Sequence, residues 1–430
     1  MAVTRLPGSI MIKSVFLYKW YLWSILILIP LKCSTMVFDS RFLPLIQHPY
    51  MTNYERLSHF AIYGFAATGD KAFGRGDNDL GIPELFGKYN LIDLFHGLDA
   101  RGIPNPLPPD FVAKLSADDK AKILWNIDGR IQAQGFTISY QQQIKSWLSA
   151  GFYWGFMRVS SGQLFRLDSG SLISQLDAGE FNELMRGRRL VQQALGLCGD
   201  FWAVAGMGDL DFYVRFGGQR DYVYKLRNLI AGARLGCLAP TGVVRSINNP
   251  SSIPFGGNGH WGVYMSIDAE AELKEDWKIG FLFRVSKRFA RTSLQRLPIG
   301  NEPVIFGSEV GYAQVVPGVT FNFLPYGTFE NVRGGFGGRL AFTMTAHMQD
   351  IWKDRRCDRA IPVNLCSITN FSDWASSYVT LTAFYDFGKV KIDRGFAPIL
   401  VFNWDLPASF LLRYNSSKTQ MVSMGLEYNF

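Results

Sequence analysis

The chain closes on Met421, Val422, Ser423, Met424, Gly425, Leu426, Glu427, Tyr428, Asn429 and Phe430. Val422, Met424, Leu426, Tyr428 and Phe430 occupy one phase of this stretch, and Ser423, Gly425, Glu427 and Asn429 occupy the other. A period of two is that of a β-strand with one apolar and one polar face. A tilted strand needs roughly 9–11 residues to cross a bilayer, and this stretch has that length. A strand of a soluble sandwich alternates in the same way, so the remainder of the chain must decide between lipid and a second sheet.

Four segments upstream repeat the pattern. Leu210, Phe212, Val214 and Phe216 alternate with Asp209, Asp211, Tyr213 and Arg215, and Leu229, Ala231, Ala233 and Leu235 with Asn228, Gly232, Arg234 and Gly236. Val263, Met265, Ile267, Ala269 and Ala271 alternate with Tyr264, Ser266, Asp268, Glu270 and Glu272, and Ile279, Phe281, Phe283 and Val285 with Lys278, Gly280, Arg284 and Ser286. Soluble strands average about five or six residues, whereas the longer ladders here run to about twice that. Charges keep to one phase, and Trp261 and Trp277 open the apolar faces where an interfacial aromatic girdle belongs. A sheet whose oily face meets hydrocarbon must close on itself, because no backbone group can go unpaired there. The expected fold is therefore an all-β transmembrane antiparallel barrel.

The terminal decapeptide resembles the closing strand of Gram-negative outer-membrane β-barrels, which ends in an aromatic residue, usually Phe. The resemblance implies recognition by the barrel-assembly machinery, with Val422, Met424, Leu426, Tyr428 and Phe430 as the barrel-closing face. It also implies outer-membrane lipid and lipopolysaccharide as surroundings. Gly206, Met207, Gly208, Asp209 and Leu210 are similar to a Gly-x-Gly-Asp-Leu strand start seen in some outer-membrane transport barrels.

At the other end, Trp20–Leu31 is apolar or small, preceded by Arg5, Lys13 and Lys19 and followed by Lys32. It is too short for a ~20-residue membrane helix, and its layout is that of a secretory signal peptide over residues 1–35. A periplasmic linker follows over 36–53, and the barrel occupies 54–430. Strands are expected at Tyr54–Ala67, from Trp125 with a bulge near Gly135 and Phe136 to a turn at Gln141–Lys145, at Trp147–Val159, the four segments above, Gly311–Pro325, Gly334–Met348, Trp374–Phe387, Lys391–Asp405 and Lys418–Phe430, with Pro317 at a bulge or strand edge. That makes twelve, with ten or fourteen left open. Connections near Gln142, Gln219, Lys274, Tyr326 and Lys389 are short, whereas those holding Asp79, Gln175, Asn248, Arg296, Asp358 and Pro407 are longer. This asymmetry is that of periplasmic turns and extracellular loops, and it places both termini on the periplasmic side. The insert 71–123, with helices expected at Pro83–Leu94 and from an N-cap at Ser116, is either an extracellular loop or a plug. The insert 160–204 carries a helical pattern over Glu180–Leu197.

Export puts the cysteines in an oxidising compartment, and Cys357 with Cys366 is the expected loop staple, with Cys198 and Cys237 left open as a second pair. No Cys-x-x-Cys occurs and the histidines number only five, so no metal site and no cofactor are expected. The net charge of +8 includes the leader's cations and is too dispersed for nucleic acid. The Gly206–Gly208 and Gly334–Gly338 strings sit outside any βαβ unit and read as strand glycines rather than phosphate loops. A barrel hydrolase needs a serine beside a histidine on one strand face, and none of the histidines has Ser two positions away. No catalytic residue is expected.

The candidate lumen-lining residues are Asp128, Arg130, Asp209, Asp211, Arg215, Arg234, Asp268, Glu270, Glu272, Lys278, Arg284, Arg339 and Glu427, joined by Arg288 and Asp386. Their near balance of sign fits either internal ion pairs or a wet passage with opposed charged walls. Three functions follow: a passive channel for small hydrophilic solutes, a closed barrel scaffolding surface loops for adhesion or envelope structure, and a barrel hydrolase as the most distant. A homo-oligomer is compatible with each.

Overall fold

A computed structural model describes residues 40–45, 58–76, 78–116, 123–168, 177–222, 226–274, 276–390 and 397–430. The segment read as a signal peptide lies outside these. Among the described residues, no helix is long and apolar enough to cross a membrane. Among the described residues twelve antiparallel strands form a sheet closed on itself, and two short strands, Tyr89–Asn90 and Phe201–Met207, add to it beside the second and third. The twelve are β1 (Ser58–Gly69), β2 (Leu124–Lys145), β3 (Leu148–Leu167), β4 (Leu210–Asp221), β5 (Asn228–Ala239), β6 (Gly262–Lys274), β7 (Trp277–Arg288), β8 (Val319–Arg333), β9 (Phe336–His347), β10 (Trp374–Asp386), β11 (Ile399–Pro407) and β12 (Gln420–Asn429). Each pairs with its neighbours in sequence, and β12 returns to β1 with Phe60 opposite Tyr428 and Ile62 opposite Leu426.

The outer wall carries the oily phase. Val422, Met424 and Leu426 are 40%, 60% and 49% exposed, whereas Ser423 and Gly425 between them and Glu427 after them are buried. The same holds for Met265 and Ile267 against Tyr264 and Ser266, and for Ile279 and Phe281 against Leu282 and Arg284. Among the described residues no second sheet covers this belt, and its apolar side chains form the exposed outer surface that a lipid-facing barrel wall requires. Aromatic pairs mark its lower edge: Trp147 stacks on Phe216, Trp277 meets Phe329 edge to face, and Tyr428 stacks on Phe430. This edge lies at the end where connections are short, here called the turn end. The long connections emerge at the opposite, loop end.

Several sequence expectations shift in detail. The strand expected over Gly311–Pro325 is two: Glu309–Val316 belongs to a separate three-stranded sheet at the loop end, and β8 begins after Pro317 and Gly318. The corner is fastened by Asp350, whose Oδ1 accepts from the Gly318 backbone N–H at 2.8 Å and lies 2.9 Å from His347 Nε2, while His347 Nδ1 lies 2.8 Å from the Thr320 hydroxyl. Tyr326 sits within β8 rather than at a turn. The turn is instead made by Gly334 and Gly335, both at positive φ, a conformation glycine adopts without steric cost. Trp147 lies in the β2–β3 turn. Ser116 ends a helix, α2 (Pro109–Ser116), rather than starting one.

Before it come a 3-10 turn at Ile82–Phe86 and α1 (Leu91–Ala100), capped by the Asn90 side chain. The later insert folds as α3 (Ala178–Ala194), started by a capping box between Asp177 and Glu180. Cys357 and Cys366 are both free and exposed, so the expected disulfide is absent.

Candidate functional site

The barrel interior has two levels. In the turn-end half the inward phase is polar and knitted by charges. Arg215 of β4 donates to both carboxylate oxygens of Asp268 on β6, at 3.2 and 2.6 Å, and Arg234 of β5 stands 4.0 Å from the same group. Arg284 of β7 reaches Asp211 at 3.7 Å and lies 3.8 Å over the Tyr264 ring. Tyr326 donates to Glu270 at 2.8 Å, while Lys278 lies 3.9 Å from Glu270 and 2.7 Å from Glu330. Arg339 lies over Tyr326 and donates to Thr328, and Glu427 accepts from Tyr63. The charges gather on β4–β9. The facing wall, with Thr137, Ser139, Gln141, Ser376 and Ser423 buried on it, is mostly uncharged.

Of the residues singled out from sequence, Asp209, Asp211, Arg215, Arg234, Asp268, Glu270, Glu272, Lys278, Arg284, Arg339 and Glu427 lie on the inward phase of their strands or at its continuation. Asp128 and Arg130 do not. On β2 the buried phase runs Trp125, Ile127, Ile131, Ala133, which turns Asp128 and Arg130 outward. β2 is 22 residues long and overruns the lipid belt, so above the belt its outer face meets water and becomes polar. There the alternation inverts: inside is apolar, outside is charged.

The reason is the plug. In the loop-end half the interior is filled by the described residues of the 71–123 insert and their partners. Tyr89, Leu91, Leu94, Phe95 and Leu98 pack on Trp125, Ile127 and Phe165 of β2 and β3 and on Leu184 and Val191 of α3. Ile82 and Leu85 pack on Ile131, Ala133, Met157 and Met421. The plug is stitched to the wall by Glu84, whose carboxylate accepts from the Ile127 and Gly81 backbone N–H groups at 3.1 and 3.2 Å. β1 ends opposite Ile131, so Ile127 lies on the part of β2 that β1 does not cover, and Glu84 satisfies a strand donor left without its ladder partner. Of the residues expected in an N-terminal linker, 40–45 also enter the interior. Ser417 and Thr419 donate to the Phe42 carbonyl, and Phe42 packs on Phe86.

Between plug and wall lies a cavity of about 230 Å³. Its apolar side includes Phe86, Ile305, Ile368 and Trp374; its polar side includes Arg41, Arg245, Arg288 and Arg296. Arg41 and Arg245 both stand over the Phe86 ring, at 4.9 and 4.8 Å. Burial lowers the Arg41 guanidinium to about 10, an effect opposed by Asp350 and Asp373. Burial and then the neighbouring Arg41 lower Arg245 to about 10 as well. Neither forms an ion pair with a described residue, and the buried Arg41 Nη1 has no hydrogen-bond partner. Arg288 is neutralised by Asp209 at 2.8 Å, and Arg296 is engaged by the carbonyls of Ile247, Gly307 and Leu195. Sequence reasoning missed Arg41 and Arg245, which lie in irregular segments without periodicity; only the length of their connections pointed there.

No protein-family description matches the chain, and no curated protein does. Solved structures are similar to it over most of its length. An outer membrane channel from Pseudomonas putida F1 is 12% identical, with 87% of this chain and 96% of that one covered and a TM-score of 0.48. A FadL homologue of Pseudomonas aeruginosa is 11% identical, with 87% and 91% covered at 0.32, and the translocator domain of the Neisseria meningitidis autotransporter NalP is 8% identical, with 87% and 88% covered at 0.30. The closure of this chain is read from its own strand pairing.

Proposed function

We propose that the protein is an outer-membrane channel that admits small amphiphilic anions, organic carboxylates on an apolar or aromatic body, through the loop-end cavity. In this reading the long connections face outward, both ends of the barrel face the periplasm, and β12 is the strand that the assembly machinery reads. The observation that carries it is the pair Arg41 and Arg245, two guanidiniums on one aromatic ring, neither ion-paired with a carboxylate among the described residues, while Asp350, which also lines the cavity, is engaged by the Gly318 backbone N–H and His347. A buried cation without a counter-charge is costly, and a ligand carboxylate supplies both the charge and the acceptors. Phe86, Ile305 and Trp374 offer the apolar contact that such a body needs.

Titration of the refolded protein with an aromatic carboxylate and with the isosteric neutral amide, followed by fluorescence of the lining tryptophans, tests the proposal. The carboxylate binds and the amide does not. Arg245→Gln weakens binding by roughly 10- to 100-fold, the loss expected for hydrogen bonds to a charged group. Equal binding of acid and amide would sink the proposal.

A second reading, a passive passage for hydrophilic solutes, is favoured by the polar turn-end half with its charged wall on β4–β9. Planar-bilayer recording separates the two. A steady conductance that carboxylates do not block belongs to the second.

A further inference from the structure

Asp128 and Arg130 stand on the outside of the barrel wall, on the loop-end side of the lipid belt. The outward phase of β2, followed toward the loop end, runs Ile138, Phe136, Gln134, Gln132, Arg130, Asp128; that of β3 runs Trp154, Phe156, Arg158, Ser160, Gly162, Leu164, Arg166. The belt ends in an aromatic cluster, with Phe136 edge-on to Trp154 and stacked on Phe156. Immediately above it the wall turns cationic. Arg130 and Arg158 are exposed and have no ion-pair partner among the described residues, while Asp128 is shared by Lys71 at 3.4 Å and Arg166 at 3.1 Å. Four cations thus face Asp70 and Asp128 here; Asp200 at the rim is engaged by Arg188.

The surface is concave. A groove of about 700 Å³ runs between Lys71, Arg130 and Arg166, and the exposed side chains of Leu164 and Phe201 flank it. Its floor at Gly162 leaves room for a ligand. Nothing but the Phe201 ring edge, at 3.8 Å, stands near the place of a Cβ.

We infer that this groove binds the phosphorylated saccharide headgroup of the lipid in the outward-facing leaflet. The inference rests on the proposed orientation, with the loop end outside. Three observations select the ligand. Arg158 is the first outward residue above the aromatic girdle, and Arg130, Arg166 and Lys71 continue the cationic stripe from there toward the loop end. Their excess over carboxylates calls for an anion, and guanidinium forks suit phosphate oxygens. The register places Gln134 opposite Arg158 and Gly162 opposite Arg130, so the two free arginines lie four positions apart along neighbouring strands. Strand rise and spacing put their Cα atoms roughly 14 Å apart. That separation matches the length of a disaccharide with a phosphate at each end. Leu164 and Phe201 provide apolar surface for the sugar faces and the first acyl carbons.

The test uses the full chain refolded in detergent and native mass spectrometry with three lipids: a diphosphorylated disaccharide lipid A, its dephosphorylated form, and phosphatidylglycerol. The wild type retains the diphosphorylated lipid preferentially and is thermally stabilised by it alone, a result that needs no variant. Arg130→Gln with Arg158→Gln lowers its retention about tenfold or more, each surface cation near an anionic headgroup contributing a few-fold, whereas Lys353→Gln on the separate loop-end sheet changes nothing. Folding of each variant is checked by its migration shift on heating.

Equal retention of the dephosphorylated lipid or of phosphatidylglycerol overturns the inference, as does undiminished retention by the double variant. Carboxylate binding in the internal cavity is read on the same samples and stays unchanged if the two sites are separate. Orientation is read independently, by labelling the exposed loop-end thiols Cys198, Cys357 and Cys366 with an impermeant maleimide on intact cells. Absent labelling removes the outward-facing loop end without touching the lipid measurement.

Discussion

Arg288, at the end of β7, holds Asp209, just before β4, across two intervening strands, with its Nη1 2.8 Å from the carboxylate. The same carboxylate accepts from the Gly257 and Gly242 backbone N–H groups at 2.6 and 3.2 Å. It therefore ties the 240–260 connection to the point where the short strand Phe201–Met207 gives way to β4. Both side chains are nearly or wholly buried, so removing one partner strands a charge. Arg288→Met is expected to cost about 3–5 kcal/mol, and the double change with Asp209→Asn appreciably less than the sum. The thermal midpoint of the heat-modifiable band is the measurement; additive losses would mean the two do not act together.

Glu302 is buried against α1, its carboxylate accepting from the Ile299 and Ser308 backbone N–H groups at 2.7 and 2.9 Å. Burial raises its pKa from 4.5 to about 7. A carboxyl whose folded pKa lies above the unfolded one contributes stability in full below about 4.5, and loses that contribution as pH rises through about 7. The loop-end structure should therefore loosen between pH 4.5 and 7, and Glu302→Gln should flatten that dependence. Limited proteolysis of the loops across this pH range reports it. A variant as pH-sensitive as the wild type would assign the effect elsewhere.

The plug approaches the wall at a glycine. A Cβ on Gly81 would lie 1.8 Å from the Ile127 carbonyl oxygen, a backbone atom that cannot swing aside. Gly81→Ala is expected to lift the Ile82–Phe86 turn from β2 and break both Glu84 hydrogen bonds. The expected result is a conductance higher than wild type in planar bilayers, with the barrel still heat-modifiable. An unchanged trace would mean that this turn does not obstruct the lumen.

The lipid belt predicts a sided effect on β12. Met424 is 60% exposed on the outer wall and Ser423 is buried on the inner. Met424→Arg should cost about 2–4 kcal/mol if it lies at the bilayer midplane, whereas Met424→Leu should cost almost nothing. Folding titrations into lipid vesicles measure both, and a tolerated arginine would place this face in water.

What the sequence determined by itself was local and periodic. The two-residue alternation in Met421–Phe430, in Val263–Glu272 and in Lys278–Ser286 assigned strand, face and lipid belt together, because a pleated strand sends successive side chains to opposite sides. Alternating short and long connections counted the twelve strands, and β12 returning to β1 bears that count out. Only the tertiary structure decided what fills the lumen. Asp128 and Arg130 share the alternation of every other inward charge, yet they face outward, because β2 runs past the lipid and the insert 71–123 folds back to cover its other side. The cavity belongs to the same class of fact. Arg41, Phe86 and Arg245 come from three irregular segments far apart in the chain, and irregular backbone has no period from which their meeting on one ring could be read.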